Sequence, residues 1–437
     1  MSVVFVHLSD IHFGQEKDGK LWINDDVKER LIDDVRAMAK TLEIDRTAGI
    51  IITGDIAYGG RPEEYKAAAA WLDRVAQAAG CEITDIQVVP GNHDIDWNEI
   101  TELTEMMLGK IVADGEPALD RFLRTEADRE MLFRRFSAYL PFAEGYRCPL
   151  DTNALLAEDR LVELAPGRAI RFIRLNSALA CSKKDEEGKL LLGARQRVLK
   201  QRPGEELIVL SHHPLHWFQD SADALLFIRS RARVFISGHE HNPSVKIEAI
   251  EEGCDLMMLA AGATVPPTSD DKFTYCYNVI EFDWNAEEDA LSVRVHPRAW
   301  VNEKKRFEAD EARLGRRDPT CTLGCPNFRG AAQAIVLPEQ KVAMDGASDT
   351  IIIVPPDDHS SEAREDTLVD AYPMLLLRFF RDISPTQRIG ILATLGALPP
   401  NWKGRLSEPF ERNAFDSLVK AGRSDELWAL LQGILKG

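Results

Sequence analysis

Through about residue 300 the chain alternates short β-branched runs with longer stretches whose apolar residues fall three and four apart. The first pattern fits strands buried on both faces, and the second fits helices that cover a sheet. The predicted strands are Val3–Leu8, Gly49–Thr53, Ile86–Val89, Ile170–Leu175, Leu207–Leu210 and Val234–Ile236, with helices predicted at Asp25–Glu43 and Pro62–Ala79. Their alternation predicts an α/β sandwich. After Ile247, Leu256–Leu259, Tyr275–Phe282 and Leu291–His296 read as further strands that complete a second sheet.

Two segments break this rhythm. Asn98–Leu140 is charged and helical, an insertion after the third strand that either caps a site or simply packs there. Its arginines (Arg121, Arg124, Arg129, Arg134 and Arg135) read as a solvated face. Residues 338–366, Asp-, Ser- and Pro-rich with Pro355-Pro356-Asp357-Asp358, read as a linker. Beyond them a small all-helical domain is expected over 367–437. Ser384-Pro385 supplies a cap and a first-turn proline, and Gly422 with Ser424-Asp425-Glu426 marks one helix end and the next start. Leu427, Leu430, Leu431 and Ile434 form a stripe that has to pack on something. The expected organisation is a main domain over 1–337 with 98–140 inserted, then the linker and the helical domain.

Composition narrows the class. At 45% hydrophobic and 28% charged the 437-residue chain is ordinary for a globular protein. No stretch approaches the ~20 apolar residues of a membrane span. Val3-Val4-Phe5-Val6 is short and lacks a basic leader, so no signal peptide is expected. Seven cysteines at irregular spacing suggest no disulfide framework, and a reducing cytoplasm is expected. Cys321 and Cys325, in a Gly/Pro-bearing loop, read as free thiols, since a zinc site needs four ligands and closer pairing. The net charge of −18 argues against a broad nucleic-acid footprint. It does not exclude a nuclease, because bound metal ions supply local positive charge.

The chemistry gathers in five clusters, each after a predicted strand: Asp10-Ile11-His12, Gly54-Asp55, Gly91-Asn92-His93-Asp94, His212-His213-Pro214 and Gly238-His239-Glu240-His241. They hold five of the ten histidines, or six if both His212 and His213 are counted, whereas His7, His216, His296 and His359 read as ordinary surface or core residues. Asp10 and His12, two apart, can reach one ion from a turning backbone. Asp55 has two oxygens with which to bridge two ions. Gly54 lets the backbone come close, and Gly91 permits the tight turn that presents the Asn92 carbonyl oxygen. His239 and His241 repeat the two-residue offset, so one can serve each metal. This nitrogen and oxygen set suits manganese, iron or zinc better than magnesium or calcium. Two ions roughly 3.5–4 Å apart clamp the attacking and leaving oxygens at phosphorus and acidify a bound water.

The pattern DxH…GD…GNH[DE]…H…GHxH, complete and in order here, resembles the calcineurin-like metallophosphoesterases. That resemblance implies a four-layer α/β/β/α sandwich and two divalent ions, manganese favoured. It places Asp10, His12, Asp55 and His241 on one ion, and Asp55, Asn92, His212 and His239 on the other. His93 would stabilise the transition state or protonate the leaving oxygen, with Asp94 orienting it. His212, directly after its strand, is the expected ligand, with His213 as the alternative. Leu-Ser-Asp-Ile-His-Phe-Gly and Ser-His-His-Pro-Leu look most like the branch with class III cyclic-nucleotide phosphodiesterases and glycerophosphodiesterases, the first being shared with repair exonucleases. The tail resembles the small death-fold-like adaptor domains of bacterial conflict effectors, which implies a protein partner. The expected function is therefore hydrolysis of a nucleotide or similar small phosphodiester. The alternatives are a nuclease with the same centre, or an adaptor-coupled effector whose main role is its protein contacts.

Overall fold

The protein is described by a computed structural model covering residues 2–15, 21–251, 254–266, 274–314, 319–328, 371–398 and 406–436. Its strands run β1 (Val3–Leu8), β2 (Gly49–Ile52), β3 (Ile86–Val88), β4 (Ala157–Ala165), β5 (Arg168–Arg174), β6 (Glu205–Leu210) and β7 (Ala232–Ser237). They continue as β8 (Ser244–Glu251), β9 (Cys254–Ala260), β10 (Cys276–Asn285), β11 (Ala290–Val301), β12 (Arg306–Ala309) and β13 (Thr320–Gly324). One sheet has the order β12-β11-β10-β1-β2-β3, with β13 also on β11, and the other has the order β4-β5-β6-β7-β9-β8.

Period-two alternation builds four layers from these sheets. Phe5, Ile51, Ile280 and Phe282 point inward and meet Ile170, Phe172, Ile208 and Ile236 of the other sheet in one buried cluster. Val4, Val6 and Leu8 point the opposite way, into a second cluster with residues of α1 (Leu21–Thr41) and α2 (Pro62–Ala79). Leu207, Val209 and Phe235 do the same on the far sheet, under helices that include α8 (Ser221–Arg231). The result is the α/β/β/α sandwich that the resemblance implied.

Several expectations need correction. The strands after residue 270 do not complete the second sheet: β10 and β11 extend the first, β10 antiparallel to β1 and β11 antiparallel to β10. Alternation reports which faces are buried but not which neighbour a strand chooses. Strands β4 and β8 were not predicted. Both are edges of their sheet and carry charged residues, which blunts an edge and blurs the alternation. Cys321 lies within β13 and Cys325 directly after it, both buried between the sheets rather than in an open loop. They are free thiols, as are Cys81, Cys148, Cys181 and Cys276.

The insertion folds as α3 (Glu102–Asp114), α4 (Glu116–Arg124), α5 (Glu126–Phe133) and α6 (Tyr139–Gly145). Arg121, Arg124 and Arg134 are exposed and Arg129 is half-buried, but Arg135 is fully buried and donates to the Leu132 and Leu179 carbonyls. Two backbone oxygens receive its terminal nitrogens, and no sequence pattern announces them. A short α7 (Ala194–Arg197) precedes α8.

The tail forms α9 (residues 371–381), α10 (Pro385–Thr394), α11 (Glu408–Lys420) and α12 (Ser424–Leu435). Ser384 caps α10 reciprocally with Gln387, and Gly422 takes the left-handed conformation just after α11. The α12 stripe closes on Phe379, Phe380, Leu392 and Phe415. The linker 338–366 and His359 lie outside the described residues. Among those described, no helix is long and apolar enough to cross a membrane.

Candidate metal centre

The five clusters come together at one end of both sheets. Asp10 and His12 follow β1, Asp55 follows β2 and Asn92 follows β3, all from strands paired in parallel. His212 follows β6, and His239 and His241 follow β7, parallel strands of the other sheet. Backbone hydrogen bonds tie the loops to one another: the Asp10 amide to the Gly54 carbonyl (3.0 Å), His12 to Asp55 (3.0 Å) and Gly238 to His212 (2.9 Å).

The backbone is strained where it aims these side chains. Of the ten non-glycine residues at positive φ among those described, five are Asp10, His12, Asp55, His239 and His241. Each left-handed residue costs about 1–2 kcal/mol, and such strain gathers where function over-determines geometry. Gly54 at φ 91° turns the Asp55 loop, and a Cβ there would lie 2.6 Å from His212 Nδ1. Gly91 serves differently from expectation. Its φ of −104° suits any residue, but a Cβ would collide with the Asp55 carboxylate, so closeness rather than turning requires glycine.

Asp55 lies at the middle of the array. Its Oδ2 is 3.3 Å from both His12 Nε2 and His212 Nε2, while Oδ1 accepts the His93 amide (2.8 Å). Asp10 Oδ1 is 3.1 Å from His241 Nε2, and Asp10 Oδ2 accepts from Ser9 Oγ (2.5 Å) and the His239 amide (3.2 Å). His212 Nε2 is 3.2 Å from Asn92 Oδ1 and 3.3 Å from His239 Nδ1. The outer ring nitrogens are held from behind, His12 Nδ1 by the Val265 carbonyl (3.1 Å) and His212 Nδ1 by that of Thr53 (2.7 Å). Such backing fixes the tautomer that leaves Nε2 free to ligate.

The titration behaviour follows from two buried carboxylates in a ring of imidazoles. Burial alone would raise the Asp10 carboxyl, but the His241 charge and hydrogen bond outweigh it and hold it below the usual range. For Asp55, His212 and His93 likewise outweigh burial. His212 moves the other way: burial would lower it, yet the Asp55 charge lifts it to about 9. His239, buried beside a charged His212, falls to about 3. Without a cation, the carboxylates thus draw protons onto their neighbours. A divalent ion would answer the same electrostatic demand by displacing them.

The donor set passes the test for metal. Asp10–His12–His241, Asp10–Asp55–His212, His12–Asp55–His93 and His212–His213–His239 each place candidate ligand atoms within 4.8 Å of one another. Asn92 adds a neutral oxygen beside His212. Mixed imidazole and carboxylate donors suit manganese, iron or zinc. Between the adjacent histidines, His213 faces Ser177 Oγ (3.0 Å) and Cys181 Sγ (3.8 Å), whereas His212 faces Asp55, Asn92 and His239.

The ordinary histidines are satisfied elsewhere: His7 on Thr53 and Asn278, His216 on Glu240, and His296 on Glu281.

Asp94 is placed differently from expectation. His93 Nδ1 meets the Tyr58 carbonyl (2.8 Å), so that oxygen, not Asp94, orients the ring. The Asp94 carboxylate accepts the amides of Ile56 (3.1 Å), Ala57 (3.0 Å) and Gly91 (2.9 Å) and the Tyr65 hydroxyl (3.0 Å). It bolts the Asp55 loop to the Asn92 loop. Replacing Asp94 with Ala strands three buried amides and should lower unfolding stability by about 3 kcal/mol or more. Urea denaturation measures this, and a loss below about 1 kcal/mol would remove Asp94 from that role.

Three aromatic residues at the site escaped the sequence reading. Tyr58 stacks on His93 (5.0 Å), Trp97 tilts against the same ring (5.5 Å), and Trp217 sets its edge on His239 (4.2 Å). None belongs to a cluster of ligand types. Only proximity in sequence, Tyr58 to Asp55 and Trp97 to His93, hinted at them.

Residues 3–243 match the calcineurin-like phosphoesterase family, and residues 371–432 match the GTPase-associated adaptor domain. An uncharacterized metallophosphoesterase-like protein, YydB of Bacillus subtilis (strain 168), is 24% identical over 280 residues, 61% of this chain and 54% of its own length. The chain thus spans about half the length of that relative. Among solved structures, yellow lupin (Lupinus luteus) purple acid phosphatase PPD1 aligns over 71% of this chain and 53% of its own at 11% identity (TM-score 0.38). Haemophilus influenzae NAD nucleotidase aligns over 72% and 54% at 13% identity (TM-score 0.34). Vps29 of Entamoeba histolytica aligns over 70% and 98% at 11% identity (TM-score 0.30).

Proposed function

The chain belongs to the calcineurin-like phosphoesterase family, and from that premise we propose that it is a dinuclear-metal phosphodiester hydrolase acting on a nucleotide or similar small diester. One observation supports this most: the Asp55 carboxylate lies between His12 and His212, with Asp10 and His241 on one side and Asn92 and His239 on the other. In this reading Asp10, His12, Asp55 and His241 hold one ion, and Asp55, Asn92, His212 and His239 the other. Manganese is favoured over iron or zinc. Such a pair, when bound, supplies Lewis acidity at phosphorus and lowers the pKa of a coordinated water.

The protein's own groups do the rest. The Tyr58 carbonyl accepts a hydrogen bond from His93 Nδ1–H and, with the stacked Tyr58 ring, fixes the imidazole. His93 Nε2 is then the group that gives a proton to the leaving oxygen. Asp94 keeps the loops that carry Asp55 and Asn92 in register. The tail, matched to an adaptor-domain family, is the surface through which a protein partner recruits the enzyme. Among the described residues, six buried free thiols fit a reducing, cytoplasmic setting.

The manganese-loaded protein, offered an aryl phosphodiester, the matching monoester, cyclic nucleotides and single-stranded DNA and RNA, tests the reading. Diester or cyclic-nucleotide turnover should exceed monoester turnover by roughly tenfold or more. A monoester preference would overturn the diester assignment, and a preference for polymers would make the enzyme a nuclease.

A further inference from the structure

The adaptor domain is docked on the catalytic domain through groups that a tether would not need. Helix α9 lies against α2 and α6, and its Leu377 is fully buried within the catalytic core cluster. A Cβ on Gly145, at the end of α6, would come 2.8 Å from Arg381 Cβ and 3.4 Å from Leu377 Cδ1, so this glycine permits the approach. The Arg381 side chain, 2% exposed, donates to both carboxylate oxygens of Asp73 on α2 (2.6 and 3.0 Å) and to the Tyr146 hydroxyl (2.8 Å). Arg412 of α11 reaches Glu144 on α6.

From this bolt a run of packed rings leads to the metal centre. Tyr146 packs on Phe142 (5.1 Å) and Phe142 on Tyr65 (5.0 Å). The Tyr65 hydroxyl donates to Asp94, whose carboxylate holds the Ile56, Ala57 and Gly91 amides. Asp73 and Tyr65 share α2, so the helix that receives the adaptor also carries the hydroxyl that fixes the Asp94 clamp.

We propose that the docked adaptor domain is a positioning element of the metal centre: Arg381, on Asp73 and Tyr146, holds α2 and α6 where Tyr65 keeps Asp94 seated on the Asp55 and Asn92 loops. A dry, close-packed interior transmits a shift at one end of such a run to the other. Arg381 also pairs with the adjacent Asp382 (2.6 Å), so Asp73 is the carboxylate that ties it to the catalytic domain, and replacing Asp73 with a like charge would repel the buried guanidinium and favour undocking. A partner that peels α9 away would therefore loosen the centre as well as relocate the enzyme. The metal positions rest on the proposed function, but the coupling between the two regions does not.

The test uses the full-length chain with Asp73→Arg, Arg381→Asp and the double charge swap. Hydrogen exchange is followed at residues 371–381 and at residues 55–58 and 91–94, alongside manganese affinity by calorimetry. Each single variant should speed exchange in both regions and weaken manganese binding roughly tenfold, the scale of a lost outer-shell support, and the swap should restore both. Two results would overturn the proposal: faster exchange at 371–381 with the site loops and affinity unchanged, or retained protection at 371–381. Should Asp73→Arg not fold, Tyr65→Phe removes one hydroxyl from the same run; unchanged exchange at 91–94 would count against the proposal and faster exchange for it. The exchange measurement needs no metal. Failure of the dinuclear reading would appear instead as absent manganese binding in the unmodified protein.

Discussion

Asp55→Ala is expected to empty both metal positions and to lower phosphodiester turnover by on the order of 10³-fold or more, since metal stabilisation of the transition state is worth several kcal/mol. The size of the effect follows from the residue's place. Asp55 Oδ2 is equidistant, at 3.3 Å, from His12 and His212, one in each proposed ligand set. Removing any other ligand takes one donor from one ion; removing Asp55 takes one from each, along with the acceptor of the His93 amide. Metal analysis of the purified, reloaded variant checks the first half and steady-state kinetics the second. Near-full occupancy would contradict the bridging role even if activity fell.

His93→Ala should separate binding from chemistry. Its Nδ1 is committed to the Tyr58 carbonyl, so the metal-binding groups stand without it, and occupancy should stay at the unmodified level. Turnover should fall roughly 10²–10⁴-fold, the range for a lost general acid. The loss should be greatest for alkyl or nucleoside leaving groups and least for an activated aryl group, which departs without a proton. Undiminished rates on poor leaving groups would exclude the proton-transfer role.

Much of the centre was legible in sequence because metal chemistry restricts residue types. Aspartate, histidine and asparagine just after strands, twice in the same two-residue offset, have few other reasons to recur in five clusters of one chain. The β-branched runs between them marked the central strands for a similar reason: a strand buried on both faces admits little but apolar residues. Legibility failed where a role is carried by backbone or by choice of neighbour. The carbonyl of Tyr58 orients His93, and carbonyl oxygens carry no sequence signature. Asp94 sits in a catalytic-looking motif, yet its oxygens serve the Ile56 and Ala57 amides of another segment and the Gly91 amide of its own. Arg135 lies among exposed arginines of similar spacing, and only the fold reveals which one turns inward. The docking of the tail was equally hidden, since Asp73 and Glu144 read as ordinary polar helix positions until Arg381 and Arg412 meet them.

The measurement that bears most directly on the account is an anomalous-scattering map from crystals of the manganese-loaded protein. Two peaks should appear roughly 3.5–4 Å apart, astride the Asp55 carboxylate, one bounded by Asp10, His12 and His241 and the other by Asn92, His212 and His239. A map from fully loaded crystals with no peak there, or with a lone peak that Asp55 does not touch, would contradict it.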